Sequence, residues 1–395
     1  MISAEEALRL VLENTVDVGT EIVDLLKSTG RILAQDVLAD RDFPPFDRVM
    51  MDGISLQFST FKKGVRTFPI EKIQAAGAAQ QILENDKNCI EVMTGAILPV
   101  NTNTVIPYEQ CEISEGQATI IIGDAVPMQN IHRKGVDCSS GELLINKGEE
   151  ITPAIIGIMA TVGLSKVEVR RMAKVVICST GDELIDINDK PELHQMRRSN
   201  VYMLAAALQN EGIFASTIHL PDHAETMIEG IRELLGVNDV IMLSGAVSKG
   251  KFDFLPEVLA QLGMEKIFHQ VAQRPGKPFL FGRFTNGPVI FGFPGNPVST
   301  FVCFHQFFKP WLHSSIHFSS KKRYAHLVTN VHFKPALTNH LLVKITDEKG
   351  QSIATPLSGS GSGDLITLTK AEGIICLPPD RSEFNKGEAF ELNIL

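Results

Sequence analysis

The sequence has neither an excess of positive charge nor a long uninterrupted apolar run. Its 395 residues include 37 Lys or Arg and 46 Asp or Glu, which gives a formal net charge of −9. An acidic chain argues against general binding to nucleic acids or anionic membranes. The uncharged stretch from Phe284 to Phe308 is interrupted by prolines, so it predicts a buried strand, a turn and a buried helix instead of a membrane helix. We expect no nucleic-acid partner and no membrane partner.

The sequence also lacks the cysteine patterns of zinc sites and the leader of a secreted protein. Its six cysteines are scattered, with no C-x-x-C pair, which fits a reducing compartment. Instead of a basic and apolar leader, the N-terminus has Ser3 and Glu6 in a capping-box pattern that predicts a helix over residues 4–13. We therefore expect a cytoplasmic protein without a signal peptide.

Several familiar catalytic patterns are missing as well. The sequence has no Walker loop and no G-x-G-x-x-G fingerprint, which argues against an ordinary NTPase or dehydrogenase. It has no H-E-x-x-H motif, no Ser-His-Asp order and no catalytic-cysteine signature. Any chemistry must therefore come from loops of another kind.

From residue 174 the sequence alternates between strand-like and helix-like segments. Strands are predicted at 174–178, 215–220, 240–243, 266–271, 279–281 and 289–291, and helices at 200–211, 224–235 and 254–262. Such alternation predicts a doubly wound, mostly parallel sheet with helices on both faces. Ligands of such sheets bind at the carboxyl ends of the strands, where the polar loops of this segment fall.

The whole sequence predicts a multidomain α/β protein. Residues 1–45 and 139–170 have helical character and are predicted to form an elongated N-terminal domain. The β-rich residues 46–138 are predicted to be inserted into it. Residues 171–318 make the central α/β domain, and the strand-rich residues 319–395 predict a small C-terminal β-barrel.

Two loops of the α/β domain favour a bound anion. In the first, Gly245 allows a close backbone approach, Ser248 offers a hydroxyl and Asp253 can bind a cation. In the second, Arg274 and Lys277 lie three residues apart in a Pro-Gly-containing turn. An arginine fork with a lysine charge suits a tetrahedral oxyanion. A stiff structural turn is the alternative interpretation of the second loop.

A third loop and two acids lie at the same predicted sheet edge. Pro294, Pro297 and Ser299 belong to the third loop, where Pro297 is typical of a first helical residue. Glu183 follows the first strand and Asp222 the second, and carboxylates at such an edge suit Mg²⁺ with a phosphate or sugar. A helix start is the alternative interpretation of the acids near Glu183.

Three further polar residues precede the α/β domain. Asp52 follows a Pro-Pro turn, Thr94 ends a predicted strand, and Asp137 lies close to Arg133 and Lys134. An acid before glycine is usually a turn residue, and an exposed ion pair is worth only about 0–1 kcal/mol. From the residues alone, structural and functional interpretations of all three stay open.

Seven short motifs occur in the order seen in one known family. They are Pro44-Pro45-Phe46-Asp47 with Met51-Asp52-Gly53, Met93-Thr94-Gly95-Ala96, Gly135-Val136-Asp137, Ser179-Thr180-Gly181-Asp182-Glu183-Leu184, Gly245-Ala246-Val247-Ser248, Arg274-Pro275-Gly276-Lys277-Pro278 and Pro294-Gly295-Asn296-Pro297-Val298-Ser299. Over almost its whole length the chain resembles the MoeA family, the molybdopterin molybdenumtransferases, and it is similar to the E domain of gephyrin. Each motif alone is weak, but the ordered set is specific.

The resemblance implies a molybdenum insertase with an α/β domain of the molybdopterin-binding type. Such enzymes transfer molybdenum from molybdate to adenylylated molybdopterin and release AMP, giving molybdenum cofactor, with Mg²⁺ as the expected ion. The resemblance also implies a homodimer whose cleft combines the α/β domain with parts of the partner subunit. By motif position, the catalytic residues would be Asp52, Thr94, Asp137, Glu183, Asp222 and Asp253, with Glu183 and Asp253 as metal ligands. The residues that bind substrate would be Gly245, Ser248, Arg274, Lys277, Pro294, Pro297 and Ser299.

The chain departs from the family pattern at three places. Arg48, Val49 and Met50 stand where the family usually has Asn-Ser-Ala. Ala246 replaces a second glycine, and Arg274 replaces a common lysine. The added Cβ of Ala246 affects a loop where a close backbone approach matters.

Two other functions remain as alternatives. A molybdopterin adenylyltransferase-type enzyme that shares only the α/β domain would need ATP and would leave residues 1–170 without a role. A non-catalytic gephyrin-like scaffold would not need to retain the acids named above. A molybdopterin adenylyltransferase, or another protein of the cofactor pathway, is also the class of partner to consider.

Overall fold

The computed structural model describes residues 1–245, 255–318 and 321–395. The chain divides into two compact units, one of residues 22–169 and one of residues 1–21 with 170–395. The finer division into four domains stays a prediction. No helix among the described residues is long and apolar enough to cross a membrane.

The predicted N-terminal helix is confirmed as α1, Ala4–Glu13. Ser3 precedes it, and its hydroxyl oxygen accepts a hydrogen bond from the backbone N–H of Glu6 at 3.0 Å. This bond satisfies one of the free N–H groups of the first turn. Ala7 and Val11 are the buried residues of this helix.

The unit of residues 22–169 is rich in short strands. Its elements are β1 (Thr20–Asp24), β2 (Val37–Leu38), β3 (Arg48–Val49), β4 (Gly53–Leu56), α2 (Phe58–Lys62), β5 (Thr67–Gln74), β6 (Cys89–Val92), β7 (Thr104–Pro107), β8 (Cys111–Ser114), β9 (Gln117–Ile120), β10 (Ile131–His132), β11 (Leu143–Ile145), α3 (Pro153–Thr161) and β12 (Lys166–Arg170). The unit boundaries fall within β1 and β12.

A six-stranded sheet dominates this unit, with the strand order β7-β4-β6-β5-β9-β8. Strands β5 and β6 are parallel, and the other pairs are antiparallel. Alternate residues of β6 enter two different cores: Cys89 packs with Phe68, and Ile90 packs with Val105. The sheet is therefore covered on both faces, which fits the predicted β-rich insertion.

The helical character predicted for residues 1–45 and 140–170 is limited to α1 and α3. Most of the remaining chain there forms short strand pairs, β2 with β11 and β1 with β12. These pairs pack against α3 in one apolar core that includes Leu33, Val37, Ile155 and Val167. Tertiary pairing overrides local propensity in these segments.

The α/β part of the other unit follows the predicted alternation closely. Its elements are β13 (Val175–Thr180), β14 (Leu184–Ile185), β15 (Met196–Arg197), α4 (Ser199–Asn210), β16 (Ser216–Leu220), α5 (Ala224–Leu235), β17 (Val240–Ser244), α6 (Leu255–Gln261), β18 (Glu265–His269), β19 (Gln273–Arg274), β20 (Leu280–Arg283), β21 (Val289–Phe293), α7 (Pro297–Cys303) and α8 (Lys309–Ser315). Phe304–Phe308 forms a π-helical segment between α7 and α8.

The main sheet has the order β16-β13-β17-β21-β20-β18. The first three pairings are parallel and the last two antiparallel. Val176 and Cys178 pack with α5 and α6 on one face. On the other face, the Phe279 ring stacks on Phe307 at a centroid distance of 4.7 Å. Helical segments thus cover both faces, which confirms the doubly wound, mostly parallel sheet.

Residues 321–395 form the predicted barrel. Its elements are β22 (Arg323–Leu327), β23 (Val331–His332), β24 (Thr338–Glu348), β25 (Gln351–Pro356), α9 (Leu365–Leu368), β26 (Gly373–Leu377), β27 (Glu383–Phe384) and β28 (Ala389–Ile394). The pairing of β24 with β26 closes the order β24-β25-β22-β28-β26 into a ring, and β19 adds to β24 from outside. Closure removes the exposed edges of the sheet.

A charged cluster fixes the end of α4 to α8. Glu211 follows α4, and its carboxylate lies 2.7 Å from Lys309 Nζ and 2.7 Å from His313 Nε2. Burial alone would raise the pKa of Glu211, but the hydrogen bonds from His313 and Lys309 outweigh it and lower this pKa to about 2. The cluster holds α4, whose first turn reaches the loops described below.

Candidate functional site

A cavity of about 1000 Å³ lies at the carboxyl ends of the parallel strands. Thr180 is the last residue of β13, Gly245 directly follows β17, and Pro294 directly follows β21. All three residues line the cavity. Residues of the barrel, including Asn339 and Ser362, form the opposite part of the wall. The location is the one predicted for a ligand of a doubly wound sheet.

The structure brings together most of the site residues predicted for the α/β domain. Those that line the cavity are Glu183, Asp222, Gly245, Arg274, Lys277, Pro294 and Ser299. Pro297 begins α7 beside Asn296 and Val298 but is not itself a lining residue. Ser248 and Asp253 lie outside the described residues, so their assignments stay predictions, as does the metal-ligand role of Glu183.

Gly245 is at a point where two strands approach closely. Its φ is +100°, and a Cβ added there would lie 2.8 Å from the carbonyl oxygen of Thr180 and 3.0 Å from its Oγ1. Only glycine adopts this conformation at so short a distance without strain. Thr180 itself is buried, and its hydroxyl has no hydrogen-bond partner among the described residues.

The two adjacent acids after β13 have different roles. Asp182 Oδ1 accepts a hydrogen bond from the backbone N–H of Asp222 at 3.0 Å, so it joins the loops that follow β13 and β16. Glu183 lines the cavity with an exposed side chain. The structure therefore separates a residue that holds the loop from a residue that faces the ligand space.

Arg274 and Lys277 lie on one turn of the cavity wall. Both are exposed, and neither forms an ion pair with any residue in the described ranges 1–245, 255–318 and 321–395. Two cations on one turn, without an ion-pair partner among those residues, favour an anionic ligand in this cavity. Gln273, immediately before them, is buried at 1% exposure and holds the turn from behind.

Side-chain amides join the loops after β17 and β21 to each other and to the C-terminal barrel, and no local sequence pattern indicated these contacts. Asn200 Nδ2, at the start of α4, donates to Gly295 O at 2.7 Å and to Ser244 Oγ at 3.1 Å. Asn296 precedes Pro297 as the N-cap residue of α7, but its side chain forms no capping hydrogen bond; its Nδ2 donates to Ser362 Oγ at 2.8 Å. The helix predicted from residue 200 begins one residue earlier, at Ser199, and Arg198 is its N-cap residue.

Asp52 and Thr94 form a separate polar pair in the unit of residues 22–169. The hydroxyl and the backbone N–H of Thr94 donate to Asp52 Oδ1 at 2.7 and 2.6 Å. These hydrogen bonds hold the pKa of Asp52 below its usual range. The two residues are 42 positions apart in sequence and lie in direct contact; their catalytic roles stay predictions.

Asp137 pairs with a histidine and not with the neighbouring cations. His132 Nε2 lies 2.9 Å from Asp137 Oδ1, and Arg48 Nη2 lies 3.0 Å from His132 Nδ1. Because arginine can only donate, His132 Nδ1 must accept, so Nε2 carries the proton that is donated to Asp137. Lys134, predicted beside Asp137, contacts Asp42 at 3.4 Å. Arg48, a departure from the family pattern, thus orients a partner of Asp137.

Three family models together cover most of the chain. Residues 2–163 match the MoeA N-terminal region (domains I and II), residues 176–314 match a probable molybdopterin-binding domain, and residues 324–395 match the MoeA C-terminal region (domain IV). The matched segments follow one another without overlap and include the cavity residues.

Relatives match over nearly the full length. The chain is 40% identical to a molybdopterin molybdenumtransferase of Synechocystis sp. over 394 residues, covering 99% of each chain. It is 28% identical to one from Staphylococcus epidermidis, covering 99% of this chain and 95% of the relative. The crystal structure of the molybdopterin biosynthesis MoeA protein from Pyrococcus horikoshii superposes with a TM-score of 0.85 at 28% identity, over 100% of this chain and 99% of that one.

Proposed function

This chain belongs to the MoeA family, and we propose that it is a molybdenum insertase. In the proposed reaction, molybdenum from molybdate is placed on adenylylated molybdopterin and AMP is released. The full-length relatives carry the name molybdopterin molybdenumtransferase. The substrates and the release of AMP are the finer part of the proposal.

The observation that carries the proposal is the cavity in which cations and acids face one ligand space. Arg274 and Lys277 lie on one loop of its wall, while Glu183 and Asp222 follow the strands β13 and β16. Molybdate and a phosphoanhydride are both anions, so a site that brings them together needs cations. Such a volume also accommodates a ligand larger than a single oxyanion.

Mg²⁺ is proposed as the ion of this site. The described residues contain no group of three or more His, Cys, Asp and Glu placed to hold a metal. Mg²⁺, however, commonly uses one or two carboxylates together with phosphate oxygens of the substrate, and Glu183 at the cavity wall provides an oxygen ligand of that kind. Glu183 and Asp253 would hold the ion, which would neutralise phosphate charge and assist the departure of AMP.

The chain's own residues perform the binding. Arg274 presents a guanidinium fork and Lys277 a point charge to the tetrahedral oxyanion. The conformation of Gly245 lets the chain after β17 pass close to Thr180 at the cavity wall. Ser299 lies buried in the first turn of α7 at the cavity wall, where N–H groups of a helix start favour negative charge.

The test is a defined assay with purified components. The protein is supplied with adenylylated molybdopterin, molybdate and Mg²⁺, and AMP and molybdenum cofactor are measured. The expected result is equimolar formation of both. Omission of molybdate and omission of Mg²⁺ are the controls, and a wild-type protein that releases no AMP under these conditions would refute the proposal.

Variants of the acids separate their roles in this assay. Asp253→Ala is expected to fold and dimerise but to lose release of AMP, since the proposal assigns it to the metal. Glu183→Gln keeps the volume of its side chain and is expected to act in the same direction. Normal turnover by both variants would contradict the metal assignment.

The alternative functions predict different results. An adenylyltransferase-type enzyme would consume ATP with bare molybdopterin, and a scaffold would show no turnover at all. The adenylyltransferase is not favoured because the relatives match residues 1–170 as well as the α/β domain. No observation on the described residues favours the scaffold.

A homodimer is part of the proposal. The family resemblance motivates it, and the strand-rich unit has exposed apolar side chains, with Ile22 at 71% and Leu26 at 78% exposure. Light scattering on the purified protein should give twice the chain mass of 43.3 kDa. A mass of one chain at assay concentrations would refute it. Roles for Asp52, Thr94 and Asp137 in the same reaction, a cytoplasmic location and a partner from the cofactor pathway stay predictions.

A further inference from the structure

Behind the turn that carries Arg274 and Lys277 lies a buried polar pair that the predicted site does not include. Gln273 is 1% exposed and His340 is 4% exposed. His340 Nε2 lies 3.0 Å from Gln273 Oε1, and Gln273 Nε2 donates to Gly276 O at 3.1 Å. Both side chains line the cavity. A chain of hydrogen bonds therefore runs from barrel strand β24 to the turn that carries Arg274 and Lys277.

The donors and acceptors of this pair are fixed by elementary chemistry. The carbonyl oxygen of Gly276 can only accept, so the amide nitrogen of Gln273 must face it. The amide oxygen of Gln273 then faces His340, whose Nε2 must carry the proton. Burial lowers the pKa of His340 to about 4, so the ring is neutral near pH 7. The pair adds no charge that would oppose Arg274 and Lys277.

The turn packs directly against this pair. Gly276 has a φ of +90°, and an added Cβ would lie 2.7 Å from Gln273 Nε2 and 2.5 Å from Cys303 Sγ on α7. Strand β19 pairs in parallel with β24, with Arg274 opposite Asn339. The turn is thus held between the barrel and α7, and its central carbonyl is bonded from behind.

We propose that Gln273 and His340 are positioning residues that hold the Arg274–Lys277 turn in the geometry that binds the tetrahedral oxyanion. Neither residue touches the anion; both act through the backbone of Gly276. A ligand-binding loop is only as well placed as the side chains that support it, and an offset of about 1 Å weakens binding strongly. The identity of the oxyanion as molybdate rests on the proposed function.

The experiment compares variants that break the pair with variants that keep it. Gln273→Glu keeps the side-chain volume but removes the donor to Gly276, and His340→Leu removes the donor to Gln273. Gln273→Met removes the same donor without adding a negative charge and is expected to match Gln273→Glu. His340→Gln restores an N–H donor and is the conservative rescue. The matched control is His326→Leu, because His326 is a half-buried barrel histidine that bonds to Gly387 O at 3.0 Å and does not line the cavity.

Two readouts are measured on the full chain. The first is KM for molybdate against kcat at saturating adenylylated molybdopterin, and the second is the Kd for molybdate from calorimetry. Gln273→Glu and His340→Leu are expected to raise KM and Kd about tenfold while kcat stays within about twofold. His340→Gln and His326→Leu are expected to stay within about twofold of wild type in both constants.

Unchanged molybdate constants in folded Gln273→Glu and His340→Leu would overturn the proposal. Equal losses in His326→Leu would do the same, since they would indicate a general loosening of the barrel. Because calorimetry needs no turnover, a wild type that binds molybdate but releases no AMP would contradict the proposed reaction but not this inference. A wild type that shows no molybdate binding by calorimetry would contradict the inference itself.

Discussion

Replacing Gly245 with alanine tests the close approach of β13 and β17 at the cavity. The added Cβ would lie 2.8 Å from Thr180 O and 3.0 Å from Thr180 Oγ1, at a φ of +100°. Thr180 O belongs to the backbone of a strand paired with β17 on one side and β16 on the other. It therefore cannot move away without disturbing the central sheet.

The expected cost has two parts. A non-glycine residue at such a φ costs about 1–2 kcal/mol, and overpacking against a fixed backbone adds about 1–3 kcal/mol. Gly245→Ala should therefore lower the free energy of unfolding by about 2–5 kcal/mol. This is a large fraction of the roughly 5–15 kcal/mol by which proteins are stable.

The assay is urea unfolding followed by fluorescence of Trp311, which is the single tryptophan of the sequence and is fully buried. Gly295→Ala is the matched control. Gly295 lines the same cavity, its φ is not positive, and an added Cβ there meets nothing within 4 Å. Its effect should stay within about 0.5 kcal/mol. If Gly245→Ala proved as stable as Gly295→Ala, the reasoning from close approach would be wrong.

Three further predictions follow from individual contacts. Glu211→Gln should destabilise the protein by about 3 kcal/mol at pH 7. Because folding lowers the pKa of the Glu211 carboxyl to about 2, its contribution to stability is present above its unfolded pKa and is lost as the pH falls from about 5 to 2. The difference in urea midpoint between wild type and Glu211→Gln should therefore shrink over this range. An equal difference at pH 7 and pH 3 would contradict this. Thr94→Val removes one of two donors to Asp52, so carbon NMR should show a higher pKa for Asp52. Arg48→Leu removes the donor to Nδ1 of His132 while Asp137 still accepts from Nε2, so nitrogen NMR of the ring should show a shifted Nδ1 signal with the proton still on Nε2.

Much of the fold could be predicted because burial leaves a local pattern. Alternating apolar strands and helices from residue 174 onward gave α5 at Ala224–Leu235 with both ends correct and β17 within one residue. The strand-rich character of residues 319–395 likewise predicted the barrel to which β26, Gly373–Leu377, belongs. The prediction was wrong where local propensity favoured a helix but pairing with a distant segment made the chain a strand, as for β2 and β11.

The sequence by itself indicated which loops line the cavity, because glycine and proline at strand ends restrict the backbone and charged residues there favour an ionic ligand. Only the tertiary structure decided which of them share a cavity and what supports them. Asn296 meets Ser362 across 66 residues, and Gln273 meets His340 across 67. Such contacts have no period and no local signature, since they arise when the closed barrel and the parallel sheet bring remote segments of the chain to the same edge.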